Sequence, residues 1–205
     1  MRNFVTGVLF LMVNASSAFA APILWSDNGH YYEFISQSRT WSSALARAEQ
    51  LSFDPDGSGG QSPLAGYLVT ITSAQEQAFL NQHFGSSGLY WIAAGDGAVE
   101  GTWRWNAGPE TGSLLTYTNW KAGEPNNGGF GILQEDQAVA NSGGVGLWND
   151  WLGFVSTNFV VEYGTYATSP GVATAPAVAT PEPASIGLLV TGLAGLALRR
   201  RRTRS

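Results

Sequence analysis

The sequence predicts an α+β domain in which two helices pack on small antiparallel sheets and a long loop region follows. Three observations predict it. Two helix signals stand in the first half, apolar residues at helical spacing after Thr40 and a capping box at Ser73. The β-branched and aromatic runs around them do not alternate with helices as they would around a parallel sheet. Residues 107–150 are rich in Gly, Asn and Pro, which favour turns and loops. With 8 Trp, 7 Tyr and 10 Phe, a single domain of this length can bury a sizeable core.

The elements follow in order. Residues 30–35 are aromatic-rich and read as the first strand. Thr40 is placed as an N-cap, because Trp41, Ala44, Leu45 and Ala48 follow at i, i+3, i+4 and i+7. Asp54-Pro55-Asp56-Gly57-Ser58-Gly59-Gly60 ends that helix in a surface loop. Residues 67–71 form a β-branched and aromatic run, hence a strand. Ser73-Ala74-Gln75-Glu76 is a capping box: the serine accepts from an orphan amide and the glutamate reaches back to the cap. A second helix should run from there to about Phe84. Residues 89–94 and 101–106 read as strands joined by Gly95-Asp96-Gly97, with short extended pieces at 117–120 and 137–141 and a last strand at 158–163.

The ends of the chain read as addresses. Residues 1–20 carry Arg2, an apolar stretch over 4–13 and Ala18-Phe19-Ala20 before Ala21, the small-x-small site of a secretory signal peptide. Cleavage after Ala20 leaves a domain over 21–167. Residues 168–180 are Ala/Pro/Thr-rich without helical periodicity and suit an extended linker. Pro181-Glu182-Pro183 then precedes an apolar stretch over 184–198 and Arg199-Arg200-Arg201-Arg202. An apolar segment closed by arginines is a membrane segment whose basic end stays cytoplasmic, although this one is shorter than the roughly 20 residues of a stable span. Residues 181–205 resemble the PEP-CTERM sorting signal of Gram-negative bacteria. The resemblance implies membrane attachment until an exosortase-type enzyme processes the tail. It also implies a destination in the cell envelope, at the cell surface or in an exopolysaccharide matrix. A plain membrane anchor is the alternative.

Between the ends, residues 21–180 hold four Lys/Arg against fourteen Asp/Glu, a formal −10. Nucleic acids and anionic membranes need a basic surface, so the domain is not expected to bind either. The chain has no cysteine, so an exported domain must do without disulfides, and thiol nucleophiles and thiolate metal sites are excluded. There is no Gly-x-Ser-x-Gly elbow, phosphate loop or His-Glu-x-x-His helix, and His30 and His83 form no metal-spaced pair. The sequence reads as a non-enzyme.

Its chemistry concentrates in Glu124-Pro125-Asn126, Glu135-Asp136 and Trp148-Asn149-Asp150. Five oxygen-bearing side chains, Glu124, Asn126, Glu135, Asn149 and Asp150, fall here in loop-favouring sequence. Calcium takes about six to eight oxygens from carboxylates, amides and main-chain carbonyls. An amide can also donate to a ligand while a carboxylate accepts, so the set suits a cation that holds a polyol. Taken singly, Glu-Pro-Asn makes an ordinary turn and Asn149-Asp150 an ordinary cap. A Glu124–Glu135 pair could cleave a glycoside, but its setting among Asn126 and Asn149 favours ligation. The 54–60 loop echoes an EF-hand, yet Ala65 stands where a bidentate glutamate is required.

Together with Trp41-x-x-Ala44, Gly66-Tyr67-Leu68-Val69-Thr70-Ile71 and Tyr90-Trp91-Ile92-Ala93-Ala94, these triplets resemble the C-type lectin-like domain over roughly residues 29–164. The resemblance implies that the five residues ligate a principal calcium, Asp150 through both side chain and main-chain carbonyl, with the bond before Pro125 cis. Two adjacent sugar hydroxyls would complete the shell, one on Glu124 and Asn126, the other on Glu135 and Asn149. The Glu-Pro-Asn order looks like the mannose, glucose or fucose class. An auxiliary calcium site is implied at Asp96 and Glu100, sharing Glu135 and Asp136, with Asn127 where an acid is often found. The positions matching the family's conserved cysteines hold Ala48, Gln137, Gly153 and Val161. The loop over 127–134 is longer than common, and its Phe130 is placed to stack on a sugar or pin the loop. Trp103, Trp105 and Trp148 are expected in the core. The expected function is calcium-dependent binding of a glycan or exopolysaccharide. The alternative is a structural or protein-interaction module in which calcium only stiffens loops.

Overall fold

A computed structural model of the chain describes residues 21–59, 62–129 and 132–165. The chain divides into two units, residues 1–167 and 168–205, and everything described lies in the first. The expected signal peptide, linker and sorting signal with its membrane segment 184–198, together with Phe130, lie outside the described residues. Among the described residues no helix is long and apolar enough to cross a membrane.

The order of elements is β1 (Ile23–Trp25), β2 (His30–Arg39), α1 (Trp41–Glu49), β3 (Ser52–Phe53), β4 (Leu64–Leu68), α2 (Ala74–Phe84), β5 (Tyr90–Gly95), β6 (Arg104–Trp105), β7 (Gln137–Ala140), β8 (Asn149–Trp151) and β9 (Thr157–Gly164). The fold is α+β, but the expected small sheets are joined into one, along the path β1-β2-β9-β5-β7-β8. β9 joins them. One of its edges pairs with β2 from Tyr31 to Arg39. Its other edge pairs with β5 at Asn158–Phe159, the one parallel pair among the described strands, and with β4 further on. A strand enclosed in this way reads as a near-continuous apolar run, and β9 does so from Phe159 to Tyr163, interrupted by Glu162.

Several strands differ from the sequence prediction for physical reasons. β1, β3 and β6 are two or three residues long, too short to show a period. β4 begins earlier than residues 67–71. Val69 lies beyond it yet still donates to Val160 O and accepts from Ala93 N, so its β-branched character reflects burial between neighbours. β2 runs on past Ile35 through an irregularity to Arg39. Residues 117–120 contribute only an isolated bridge, Trp120 to Trp148.

α1 starts as expected, with Thr40 Oγ1 accepting from Ser43 N, and buries Ala44 and Ala48. Close packing against this helix is possible because Gly66 has no Cβ, which would stand 2.7 Å from Ala48 O. The cysteine positions are filled by packing. Ala48 and Val161 are fully buried in the core, and Gln137 Oε1 lies 2.1 Å from where a Cβ of Gly153 would be.

The capping box at α2 is rearranged. Ser73 Oγ accepts from Glu76 N as predicted, but the Glu76 carboxylate passes the cap and accepts from Thr72 N at 2.8 Å and Thr72 Oγ1 at 3.0 Å. Its other oxygen accepts from Tyr32 OH at 2.7 Å, which draws it into a buried group with Glu162 and His30, themselves 2.6 Å apart. Burial, then the Glu162 charge, pushes the Glu76 carboxyl up to about 7 from an ordinary 4.5. The bond to Glu162 raises His30 above 6.5 against the opposing effect of burial.

The two shifts have the same sign for stability. A carboxyl raised in the fold is most favourable below its unfolded value and loses that advantage as pH climbs to the folded one. A raised imidazole stabilises below its unfolded value and loses that as pH passes the folded one. In EDTA, the chain should therefore melt at a higher temperature at pH 5 than at pH 8. Glu76→Gln keeps acceptors for Thr72 and a donor for Tyr32, so it should shrink that difference by raising Tm at pH 8. Thermal scans across this range check the sign.

Candidate functional site

Three segments carry the five predicted ligands, and the structure brings them together beside β7 and β8. β8 presents Asn149 and Asp150, paired with Val139 and Ala138 of β7. The loop-rich stretch 107–150 was expected to hold extended pieces only at 117–120 and 137–141, whereas the last two residues of the set also lie in a strand. The preceding Trp148 is fully buried and donates from Nε1 to Gln77 Oε1 at 2.7 Å. Its ring meets Trp105, Tyr117 and Trp120 edge-on, so Asn149 and Asp150 extend directly from the core. Glu135 and Asp136 arrive just before β7, where Asp136 O accepts from Asp96 N. The Glu-Pro-Asn segment is tied at both ends. Lys121 N donates to Trp148 O at 2.9 Å, and Asn127 N donates to Asp150 Oδ2 at 2.6 Å. The Glu124–Pro125 bond is cis.

Within this frame the oxygens converge. The Glu124 carboxylate lies close enough to Asp150 to feel its charge, and the Asn126 amide favours its charged form. Glu135 is close enough to feel the charges of Asp150 and Glu124, while the Gly128 amide favours its charged form. A Cβ on Gly128 would stand 2.5 Å from Asn126 Oδ1 and 3.2 Å from Glu135 Oε2, so this glycine holds open the space both oxygens face. Burial, and then the Asp150 charge, raises both Glu124 and Glu135 above the usual carboxylate range. The nearby cation is Lys121, whose Nζ is 4.0 Å from Glu124 Oε1.

Three oxygens of the set, Glu124 Oε2, Asn149 Oδ1 and Asp150 Oδ1, are buried without a hydrogen-bond partner. Buried polar atoms are rarely left so, since each orphan costs about 1–3 kcal/mol. All three are acceptors, so what fits them is a donor or a cation. Among the described residues no group of three His, Cys, Asp or Glu side chains could hold a metal alone. A cation here therefore depends on the amide oxygens of Asn126 and Asn149, a mixture that suits calcium rather than a transition metal.

The predicted auxiliary residues also cluster, but in a different state. Asp96 Oδ2 accepts from Gly101 N at 2.9 Å, while its Oδ1 is buried and unpartnered. Burial, then the charges of Glu100 and Asp136, raises the Asp96 carboxyl. Glu100 Oε2 already accepts from Asn127 Nδ2 at 2.9 Å and from Gln134 Nε2 at 3.1 Å. Asn127 Oδ1 accepts from Glu135 N at 2.8 Å. Asn127 is thus a bridge between the two clusters, with its oxygen occupied, and it holds a left-handed φ of 48°, which asparagine tolerates. Gly128 and Gln134 are participants that sequence reasoning missed. The Gly128-Gly129 pair signals only a loop, and nothing in the sequence links Gln134 to Glu100 across 34 positions.

The comparisons with known proteins agree with the fold. Residues 61–142 match the family model of the lectin C-type domain, and residues 179–202 match the PEP-CTERM protein-sorting motif. Halomucin of Haloquadratum walsbyi is 33% identical over 148 residues, which is 66% of this chain and 2% of halomucin. The chain thus spans only a small part of that relative, and less than a quarter of C-type lectin domain family 17, member A, of Homo sapiens, which it matches at 38% identity over 47% of its own length. The mouse scavenger receptor C-type lectin carbohydrate-recognition domain superposes with a TM-score of 0.53 at 29% identity, covering 69% of this chain and 93% of that one.

Proposed function

We infer that this chain, which carries a C-type lectin domain and a PEP-CTERM sorting motif, is an exported lectin that binds mannose-, glucose- or fucose-type sugars through calcium. The observation that carries the reading is the trio of buried, unpartnered oxygens on Glu124, Asn149 and Asp150. Calcium, when bound, would balance the crowded carboxylates and coordinate two adjacent sugar hydroxyls. Glu124 and Asn126 offer one hydroxyl an acceptor and a donor side by side, and Glu135 and Asn149 offer the same to the other. Asn149 Nδ2 spends one hydrogen on Asp150 O at 2.8 Å and retains a second for a ligand. Asp150 steadies the arrangement by holding Asn127 N. Gly128 keeps the space clear.

The destination follows from the ends. A signal peptide over residues 1–20 would export the chain, and an exosortase-type enzyme would process the tail, leaving the domain at the cell surface or in an exopolysaccharide matrix of a Gram-negative bacterium. A single open site of this kind binds weakly, and display of many copies on a surface would multiply its avidity.

The test is retention of the full chain on mannose or fucose resin in calcium, with release by EDTA. Retention that survives EDTA sinks the mechanism. The double change Glu124→Gln, Asn126→Asp should move preference toward galactose, read on a glycan array. The lack of cysteines supports one alternative, a structural or protein-interaction module for which calcium is only a brace. That module would melt at a higher temperature in calcium while binding no sugar on the array.

A further inference from the structure

We propose that a cleft between β2 and α1 binds an oxyanion substituent of the glycan, a carboxylate or sulfate ester, through Arg39 and Arg47. The proposal rests on the lectin reading and narrows its ligand to an acidic polysaccharide. The cleft encloses about 340 Å³, within the range of small-molecule sites, and is lined by Gln37, Arg39, Ser43, Ala46, Arg47 and Gln50. Ser43, Ala46, Arg47 and Gln50 are spaced i, i+3, i+4 and i+7, one face of α1 and its C-cap. Gln37 and Arg39 lie two apart on β2 and so share a face. Apart from one alanine, every lining side chain can donate a hydrogen bond.

The distribution of cations makes this cleft unusual. Residues 21–180 contain four, Arg39, Arg47, Arg104 and Lys121, against fourteen acids. Lys121 lies 4.0 Å from Glu124, and Arg104 Nη1 donates to Gly112 O at 2.8 Å. The other two line this one cleft, and among the described residues neither forms an ion pair with a carboxylate. Arg39 is oriented by its own neighbours, with Nη1 donating to Ser43 Oγ at 3.3 Å and Nη2 to Gln37 Oε1 at 3.1 Å. Its Nε is buried and has no hydrogen-bond partner. A guanidinium held in place, with a second hydrogen left on each Nη, and sharing the cleft with the Arg47 guanidinium, suits the planar or tetrahedral oxygens of a carboxylate or sulfate.

The acidity of the domain does not prevent this. Screening limits the reach of its formal −10 to about 8 Å at physiological ionic strength, so a bound anion responds mainly to the charges it touches. The site is distinct from the calcium cluster in its residues and in its chemistry. It would therefore add selectivity for charged glycans without altering the hydroxyl contacts.

The experiment compares three probes in calcium on the full chain: neutral mannan, the same mannan oxidised to carry carboxylates, and sulfated mannan. One charged form should bind about three- to tenfold tighter than the neutral form, as expected for two half-exposed charge contacts. Which charged form gains identifies the substituent. Arg39→Gln with Arg47→Gln should erase the gain while leaving neutral mannan binding unchanged. Equal affinity for all three, or a preference that persists in the double variant, overturns the proposal. Failure of neutral mannan to bind in calcium would instead count against the lectin reading. The cleft is then judged alone, by titrating glucuronate and sulfate while following backbone amide shifts. Shifts confined to residues 37–50 and lost in the double variant support the site, and their absence overturns it.

Discussion

Calcium should raise the melting temperature of the metal-free chain by about 5–10 °C, and Asp150→Asn should abolish the rise. A ligand at a hundred times its Kd stabilises the fold by about 2.7 kcal/mol, and a domain of this size gains about 2–4 °C per kcal/mol. Asp150 is the residue to change because it has contacts on every side. Its Oδ2 holds Asn127 N, its Oδ1 is buried without a partner, and its charge raises both Glu124 and Glu135. Asparagine there keeps an oxygen for Asn127 N and turns an amide donor toward the Glu124 carboxylate. Without metal, Asp150→Asn should therefore melt above the parent, and it should gain nothing from calcium. Thermal scans of both proteins with calcium and with EDTA measure four temperatures. A variant that gains as much from calcium as the parent would place the cation elsewhere.

The candidate site was legible in the sequence because each of its members is a short-range feature. Glu-Pro-Asn and Trp-Asn-Asp can be read as written, and their order along the chain supplies the rest. What could not be read were the contacts between segments. Asp150 sits on β8 because β7 pairs with it, and a three-residue strand has no periodicity of its own to reveal. The Glu76 carboxylate prefers Thr72 to the cap because Tyr32, 44 residues earlier, draws its other oxygen inward. Asn127 has a residue type suited to a ligand, yet the structure uses its oxygen to fix Glu135 N and its amide to engage Glu100. The fold was legible to a similar depth. The first helix announced itself through its cap and spacing and the second through its capping box, whereas the joining of strands into one sheet through β9 depends on long-range pairing.

Trp148→Ala should be among the most destabilising single changes in the domain, by about 3–5 kcal/mol, and should weaken calcium binding as well. The ring is fully buried against Trp105, Tyr117 and Trp120, so its removal leaves a cavity that three rigid aromatic rings cannot close. The main chain of the same residue accepts from Lys121 N and donates to Asn119 O, and these contacts seat the segment leading to Glu124. Loosening Trp148 therefore displaces ligands on both sides of the site: Asn149 and Asp150 directly, Glu124 and Asn126 through Lys121. Trp148→Phe separates ring packing from the indole hydrogen bond. It retains most of the aromatic packing but leaves Gln77 Oε1 unpaired, a loss of about 1–3 kcal/mol, and it should keep calcium affinity close to that of the parent. Calorimetric calcium titration alongside thermal scans of both variants tests the coupling. If Trp148→Ala lowers Tm while calcium affinity stays unchanged, the ligands are held by their own loop contacts and the core ring does not position them.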